Sequence, residues 1–208
     1  VIEAEKKAKV AHVWARDPND WYVEEAWVNR RLFEEERFEG PIWDPAAGMC
    51  RMPDAARAAG YDAIGSDLVS RGYGEIGGVD FLSLQQPLKV RGQPARSIAS
   101  NPPFGICEAD IKAGRPIGFV EHALRLAEHK VAMVLPARWL WGDERSRWLE
   151  KSNPRRVYIL TPRPSMPPGA VIAAGIEPGG GDKDFLIIVW LRGYDGPFET
   201  RWLRRDGA

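Results

Sequence analysis

Cysteine and histidine are scarce: the 208 residues hold two and three of them. Cys50 and Cys107 follow no metal-ligand spacing, so no metal is expected. His122 and His129 fall at helical spacing and read as surface or core residues rather than bases. An excess charge of one sign is also missing. Twenty-nine Lys and Arg balance 29 Asp and Glu, so any surface that attracts a polyanion must be a local patch. The sequence shows no signal peptide, no long apolar run, no internal repeat and no low-complexity tract, which predicts a reduced, cytoplasmic protein with no membrane contact. What is plentiful is proline, 17 residues, and tryptophan, nine. The length fits one domain over 1–208, with 1–16 as an added helix or a frayed terminus.

Along the chain, strand patterns alternate with helix patterns. A helix beginning at Asp17-Pro18 or Asp20 is predicted from the three- and four-residue steps of Val23, Ala26, Trp27, Arg30 and Phe33. "GPIWDPAAG" (40–48) reads as a short strand and turn, and "RMPDAARAAG" (51–60) as a helix closed by Gly60. "YDAIGSDL" (61–68) is a second strand, "GVDFLSL" (78–84) a weaker third segment and "ARSIAS" (95–100) a fourth strand. Then come a helix (117–129), the apolar strand "KVAMVLPA" (130–137), a polar helix (142–153) and the strand "RVYILTP" (156–162). A Pro/Gly loop (162–183) precedes "DFLIIVWL" (184–191). This alternation predicts an α/β fold with a mostly parallel sheet. The last two of these strands have only a loop between them, so they are expected to run antiparallel.

Such sheets bind ligands at the carboxyl ends of their strands. Here those ends carry Asp44-Pro45-Ala46-Ala47-Gly48, then Asp67, then Asn101, with Asp80 opening the third segment. Glycine after the first strand permits close approach of a ligand to the backbone. A carboxylate about 20 residues further on suits the two donors of a ribose diol. The loop is not G-x-G-x-x-G, which speaks against a dinucleotide. Asn101-Pro102-Pro103-Phe104 forms a corner that no helix or central strand accommodates, because two prolines remove two N–H donors.

These residues resemble the S-adenosylmethionine-dependent amino-methyltransferases, most closely the DNA adenine N(6)-methyltransferases of the small orphan, phage type. Asp44, Pro45 and Gly48 match that family's acidic-Pro-x-x-Gly-x-Gly motif; Cys50 replaces its second glycine, where a positive φ would be strained, and Met49 stands where a small residue is usual. Asn101 to Phe104 match its (Asn/Asp/Ser)-Pro-Pro-aromatic motif at every place. The likeness extends over most of residues 17–191, through "DWYVEEAW" (20–27), "VDFL" (79–82), "LPARWLWG" (135–142), "TPRPSMPPG" (161–169) and "GGDKDFLIIVW" (180–190).

The resemblance implies a Rossmann-like class I methyltransferase with a seven-stranded sheet, its last strand antiparallel, and helices on both faces. It implies S-adenosylmethionine as cofactor, held by Asp44, Pro45, Ala46, Gly48, Asp67, Leu68, Asp80 and Phe81, with Tyr22 and Glu24 near its amino-acid end. The side-chain oxygen of Asn101 and the carbonyl of Pro102 would accept the two hydrogens of an exocyclic amine, and Phe104 would stack on the base. An adenine in duplex DNA would have to be flipped out of the stack. Loop 162–183, Trp139, Trp141, Arg138 and Arg163 are expected on the substrate side; the other tryptophans read as core. Arg155, Arg156, Arg201, Arg204 and Arg205 complete the candidates for phosphate contacts. DNA is the expected partner. RNA adenine and a protein glutamine amide present the same planar NH2, and a non-enzymatic binding domain with a degenerate loop is the further alternative.

Overall fold

A computed structural model describes residues 17, 20–105 and 118–206. The expectations placed on residues 1–16, on Pro18 and on Cys107 lie outside the described residues. The elements are α1 (Ala26–Glu35), β1 (Ile42–Asp44), α2 (Arg51–Ala58), β2 (Ala63–Asp67), β3 (Ile76–Gly77), a hairpin of β4 (Lys89–Val90) and β5 (Gln93–Pro94), and β6 (Ser97–Ser100). They continue with α3 (Gly118–Leu126), β7 (Lys130–Pro136), α4 (Asp143–Ser152), β8 (Arg156–Thr161), α5 (Gly169–Ala173), β9 (Phe185–Leu191) and β10 (Glu199–Arg204).

One mixed sheet runs β10-β8-β9-β7-β6-β1-β2-β3. Every neighbouring pair is parallel except those of β9, which is antiparallel to both β7 and β8. The expected antiparallel strand is therefore β9, lying inside the sheet rather than at its edge. An eighth strand, β10, extends the sheet beyond β8. Its alternation is too polar to announce it: of Glu199–Arg204 only Leu203 is buried.

Strand β7 is buried along its whole length, as a near-continuous apolar run in a sheet covered on both faces should be. On one face α1 and α2 pack Trp27, Val28, Leu32, Phe33, Met52 and Ala56 against Ile42, Ala132, Val134 and Ile187. On the other, Phe119, Val120 and Ala123 of α3 and Leu149 of α4 meet Trp43, Ile98, Met133 and Ile188. Each such side chain contributes roughly 1.5–3 kcal/mol by leaving water.

Two local expectations are corrected. The first helix starts at Ala26, not at Asp17 or Asp20. Trp21 to Val23 are instead extended and paired with loop 162–183: the Val23 amide donates to the Pro167 carbonyl at 3.0 Å, and the Gly169 amide to the Trp21 carbonyl at 2.8 Å. Those bonds remove the segment from the helix its periodicity suggests. The third strand is Ile76–Gly77, upstream of the "VDFL" segment, where Phe81–Ser83 forms a 3-10 turn capped by the Asp80 carboxylate.

Candidate active site

The order of the sheet reverses at β1: the chain moves out through β2 and β3, then returns to the other flank of β1 as β6. Loops leaving the carboxyl ends of β1 and β6 diverge there and open a crevice. The crevice is a cavity of about 370 Å³, lined among others by Tyr22, Glu24, Asp44, Gly48, Asp67 and Asn101. That volume falls within the roughly 300–1,000 Å³ of small-molecule sites.

Asp44 ends β1 and Ser100 ends β6, and the Ser100 hydroxyl donates to Asp44 Oδ1 at 2.7 Å. The Ala46 amide donates to the same oxygen at 3.1 Å. Burial pushes the Asp44 carboxyl up to about 8; the two donors oppose the rise, and the nearby charges of Glu24 and Asp67 add to it. Gly48 adopts φ +51°, and a Cβ there would stand 3.0 Å from Trp21 Nε1. Its amide donates to Asp67 Oδ2 at 2.9 Å, while Asp67 Oδ1 accepts from the Val69 amide at 2.9 Å. One carboxylate thus ties the loop after β1 to the loop after β2. Cys50 takes φ 58°, the left-handed conformation expected to be strained there, and burial pushes its thiol up to about 12.

Asn101 follows β6 directly. Its Nδ2 donates to the Tyr22 carbonyl at 3.1 Å and to Glu24 Oε2 at 2.8 Å. Its Oδ1 is buried with no hydrogen-bond partner, although it belongs to a residue lining the cavity. A buried acceptor left unpaired costs free energy unless something else supplies a donor.

The cavity also gathers Pro45, Ala46, Leu68, Asp80, Phe81 and Pro103 from the expected site residues. Phe81 is at the same time core: its ring lies 5.2 Å from Trp43 and 4.5 Å from Phe119. Pro102 and Phe104 do not line it; Phe104 packs toward Phe185 with ring centroids 5.9 Å apart. Trp139 is a correction. It is 0 % exposed and stacks edge-on against Trp148 at 6.3 Å, whereas Trp141 beside it is 77 % exposed. Arg138 is exposed on the same turn, and Arg163 pairs with Asp184 at 2.7 Å. Arg156 is a second correction: it is buried and bound to Glu36 and Glu199, so it offers nothing to a phosphate.

Trp21 is the residue the sequence reading missed. Counted there among core tryptophans, it lines the cavity above Gly48, with the Arg71 guanidinium 4.4 Å from its ring centroid. Gly169 abuts it so closely that a Cβ would stand 2.0 Å from Trp21 Cε2. The only signal was its place beside Tyr22 in the "DWYVEEAW" segment. Among the described residues, no group of three or more His, Cys, Asp or Glu is placed to hold a metal, and no helix is long and apolar enough to cross a membrane.

No family model and no curated protein sequence matches this chain. Solved structures do. The methyltransferase subunit of a type I restriction-modification system from Streptococcus thermophilus superposes with a TM-score of 0.56 at 14 % identity, over 86 % of this chain and 47 % of that one. The M protein of the type I restriction enzyme EcoKI gives 0.51 at 14 % identity, over 85 % of this chain and 45 % of the other. This chain spans about half the length of those proteins. What it has in common with them is the α/β fold: a mostly parallel sheet with one antiparallel strand, the architecture of Rossmann-like class I methyltransferases.

Proposed function

We propose that this protein transfers the methyl group of S-adenosylmethionine to the exocyclic amine of adenine in DNA. The observation that carries the reading is the buried, unpaired Oδ1 of Asn101 in the wall of the cavity that Asp44, Gly48 and Asp67 build. An exocyclic aromatic amine is a weak nucleophile because its lone pair is delocalised into the ring. An acceptor fixed in place draws on an N–H of that amine and returns the lone pair to nitrogen, which is preorganisation rather than acid–base catalysis. S-adenosylmethionine, when bound, supplies an electrophilic methyl group on a sulfonium.

The residues present fit that cofactor. Asp67 is an acceptor for ribose hydroxyls, Leu68 and Phe81 offer apolar surface to an adenine, and Asp44 is the carboxylate for the methionine ammonium. Tyr22 serves through its carbonyl, which holds Asn101. Arg138 and Trp141, on the turn after β7 at the same end of the sheet, are assigned to the nucleic acid as phosphate contact and stacking surface. Arg163 would have to exchange Asp184 for a phosphate. One of the solved structures named above is a type I restriction-modification methyltransferase subunit and the other the M protein of a type I restriction enzyme, which favours DNA over RNA or a protein amide. The test is transfer of labelled methyl from S-adenosylmethionine to DNA, RNA and protein in parallel. Label in DNA alone is expected; label only in RNA or protein, or none in any, would overturn the assignment.

Asp44 makes cofactor affinity depend on pH. Its folded pKa, about 8, lies above the ordinary 3.8, so the free site holds a proton at neutral pH. A cation bound beside it favours the ionised form, so binding expels that proton. Affinity for S-adenosylmethionine is expected to rise up to about tenfold per pH unit below 8 and to rise no further above it, where the ligand's own ammonium begins to lose its proton. The same shift opposes stability. An acid whose pKa is raised by folding favours the fold below its unfolded value and loses that contribution as pH rises toward its folded value. Asp44→Asn keeps the oxygen that Ser100 and Ala46 bond. It should therefore melt higher than wild type at pH 8, with the gap closing toward 3.8, while binding the cofactor at least about tenfold more weakly. Calorimetry and thermal melts across pH check both; a flat affinity profile would sink the role given to Asp44.

A further inference from the structure

Glu24, in the extended segment before α1, is buried, and an amide NH2 takes each of its oxygens. Asn29 Nδ2 donates to Oε1 at 2.5 Å, and Asn101 Nδ2 donates to Oε2 at 2.8 Å. Asn29 sits on α1 and is itself wholly buried, so a chain of amide, carboxylate and amide runs from that helix to the corner after β6.

An asparagine side chain has two ends of opposite hydrogen-bonding character and similar shape. Reversing Asn101 would set its oxygen against the Glu24 carboxylate and the Tyr22 carbonyl, three acceptors with no proton among them. It would also leave the NH2 where Oδ1 now lies unpaired. A donor in that place would repel the N–H groups of a substrate amine. The orientation of one amide therefore separates a competent corner from an obstructed one, and Glu24 with the Tyr22 carbonyl sets it.

We infer that Glu24 is a positioning residue: its carboxylate requires asparagine at position 101 and holds Asn101 Oδ1 as the acceptor for the substrate's amine. The inference rests on the proposed methyl transfer. It gives Glu24 a role distinct from contact with the cofactor's amino-acid end. It also explains why this chain has asparagine where the motif it resembles admits aspartate: a carboxylate at 101 would face a carboxylate at 24 across 2.8 Å.

The complementarity can be exchanged. Glu24→Gln has one oxygen left, which Asn29 claims, and points an NH2 at Asn101, so the amide at 101 turns and spends its oxygen on residue 24. Asn101→Asp alone sets two carboxylates together. Combined, Glu24→Gln donates to one oxygen of Asn101→Asp and leaves the other as acceptor. Only the contact with the Tyr22 carbonyl stays unfavourable, so rescue will be partial.

Wild type, both single variants and the double variant are compared for kcat in methyl transfer and for S-adenosylmethionine affinity by titration calorimetry. Each single change is expected to lower kcat about 100-fold with cofactor affinity within about threefold, and the double variant to exceed either single by at least about tenfold. Glu24→Gln at wild-type kcat would overturn the inference, as would a double variant no faster than the slower single. A loss confined to cofactor affinity would return Glu24 to the cofactor and overturn it too. A wild type that binds the cofactor and methylates nothing would instead strike at the functional reading on which it rests. Independently of how the variants fold, the side-chain NH2 of Asn101 in 15N-labelled wild type is expected to exchange slowly with solvent. Exchange as fast as an exposed asparagine's would overturn the hydrogen-bonded orientation.

Discussion

Asn101→Ala is expected to lower methyl transfer about 1,000-fold while leaving S-adenosylmethionine affinity within about threefold. The substitution removes one acceptor, Oδ1, which is buried, unpaired and fixed before substrate arrives. The neighbouring acceptors, the Tyr22 carbonyl and Glu24 Oε2, lie on the nitrogen side of the amide, away from the place that Oδ1 holds. Of the groups assigned to the cofactor, Gly48 bonds Asp67, Asp67 also bonds Val69, and Asp44 bonds Ser100 and Ala46; none of these bonds involves Asn101. Binding and chemistry should therefore separate. Truncation also strips Glu24 Oε2 of its donor, which costs about 1–3 kcal/mol of stability, so rates are best compared well below the melting transition. Single-turnover transfer and calorimetric titration read the two effects. A rate within tenfold of wild type would remove Asn101 from the chemistry.

The largest effect on stability is expected far from the cavity, at the amino ends of β7 and β8. Glu36, just after α1, is buried with Lys130 Nζ at 2.6 Å, the Tyr158 hydroxyl at 2.9 Å and the Arg156 guanidinium in contact. Removing the carboxylate leaves Lys130 buried without its counter-charge and Arg156 with Glu199 alone, so Glu36→Ala should cost about 3–5 kcal/mol. Burial alone would raise the Glu36 carboxyl; the bonds from Lys130 and Tyr158 and the charge of Arg156 outweigh it and hold the carboxyl below its ordinary 4.5. A carboxylate with a depressed folded pKa contributes stability fully above its unfolded value and loses it as pH falls through the folded one. The gap between wild type and variant should accordingly be constant above about 5 and shrink in more acidic solution. Urea titrations across pH measure it, and a loss under 1 kcal/mol at neutral pH would show that the cluster contributes little.

How far the sequence carried the structure depends on the range of the interactions that decide each feature. The α/β order and the antiparallel β9 follow from local periodicity and loop length. So does the meeting of Asp44, Gly48, Asp67 and Asn101, because parallel strands deliver their carboxyl ends to one edge of a sheet. Tyr22 and Glu24 were assigned to the site, yet their extended backbone was hidden: its partners, Pro167 and Gly169, lie far along the chain and override a good helical pattern. Arg156 looked like a surface arginine because its partner Glu36 is 120 residues away. The tryptophans reversed for the same reason. Trp139 and Trp141 are two residues apart on one turn, and only tertiary packing, Trp148 included, makes one core and leaves the other solvent-facing. Trp21 looked ordinary until Gly48, Arg71 and Gly169 were seen around it.

The most direct test of the central claim is the identity of the methylated product. Unmethylated duplex DNA incubated with the protein and S-adenosylmethionine, then digested to nucleosides and resolved by mass spectrometry, should yield N6-methyl-2′-deoxyadenosine. The same digest from Asn101→Ala should yield almost none. Methyl on cytosine C5, or DNA left unmethylated by a protein that binds the cofactor, would contradict it.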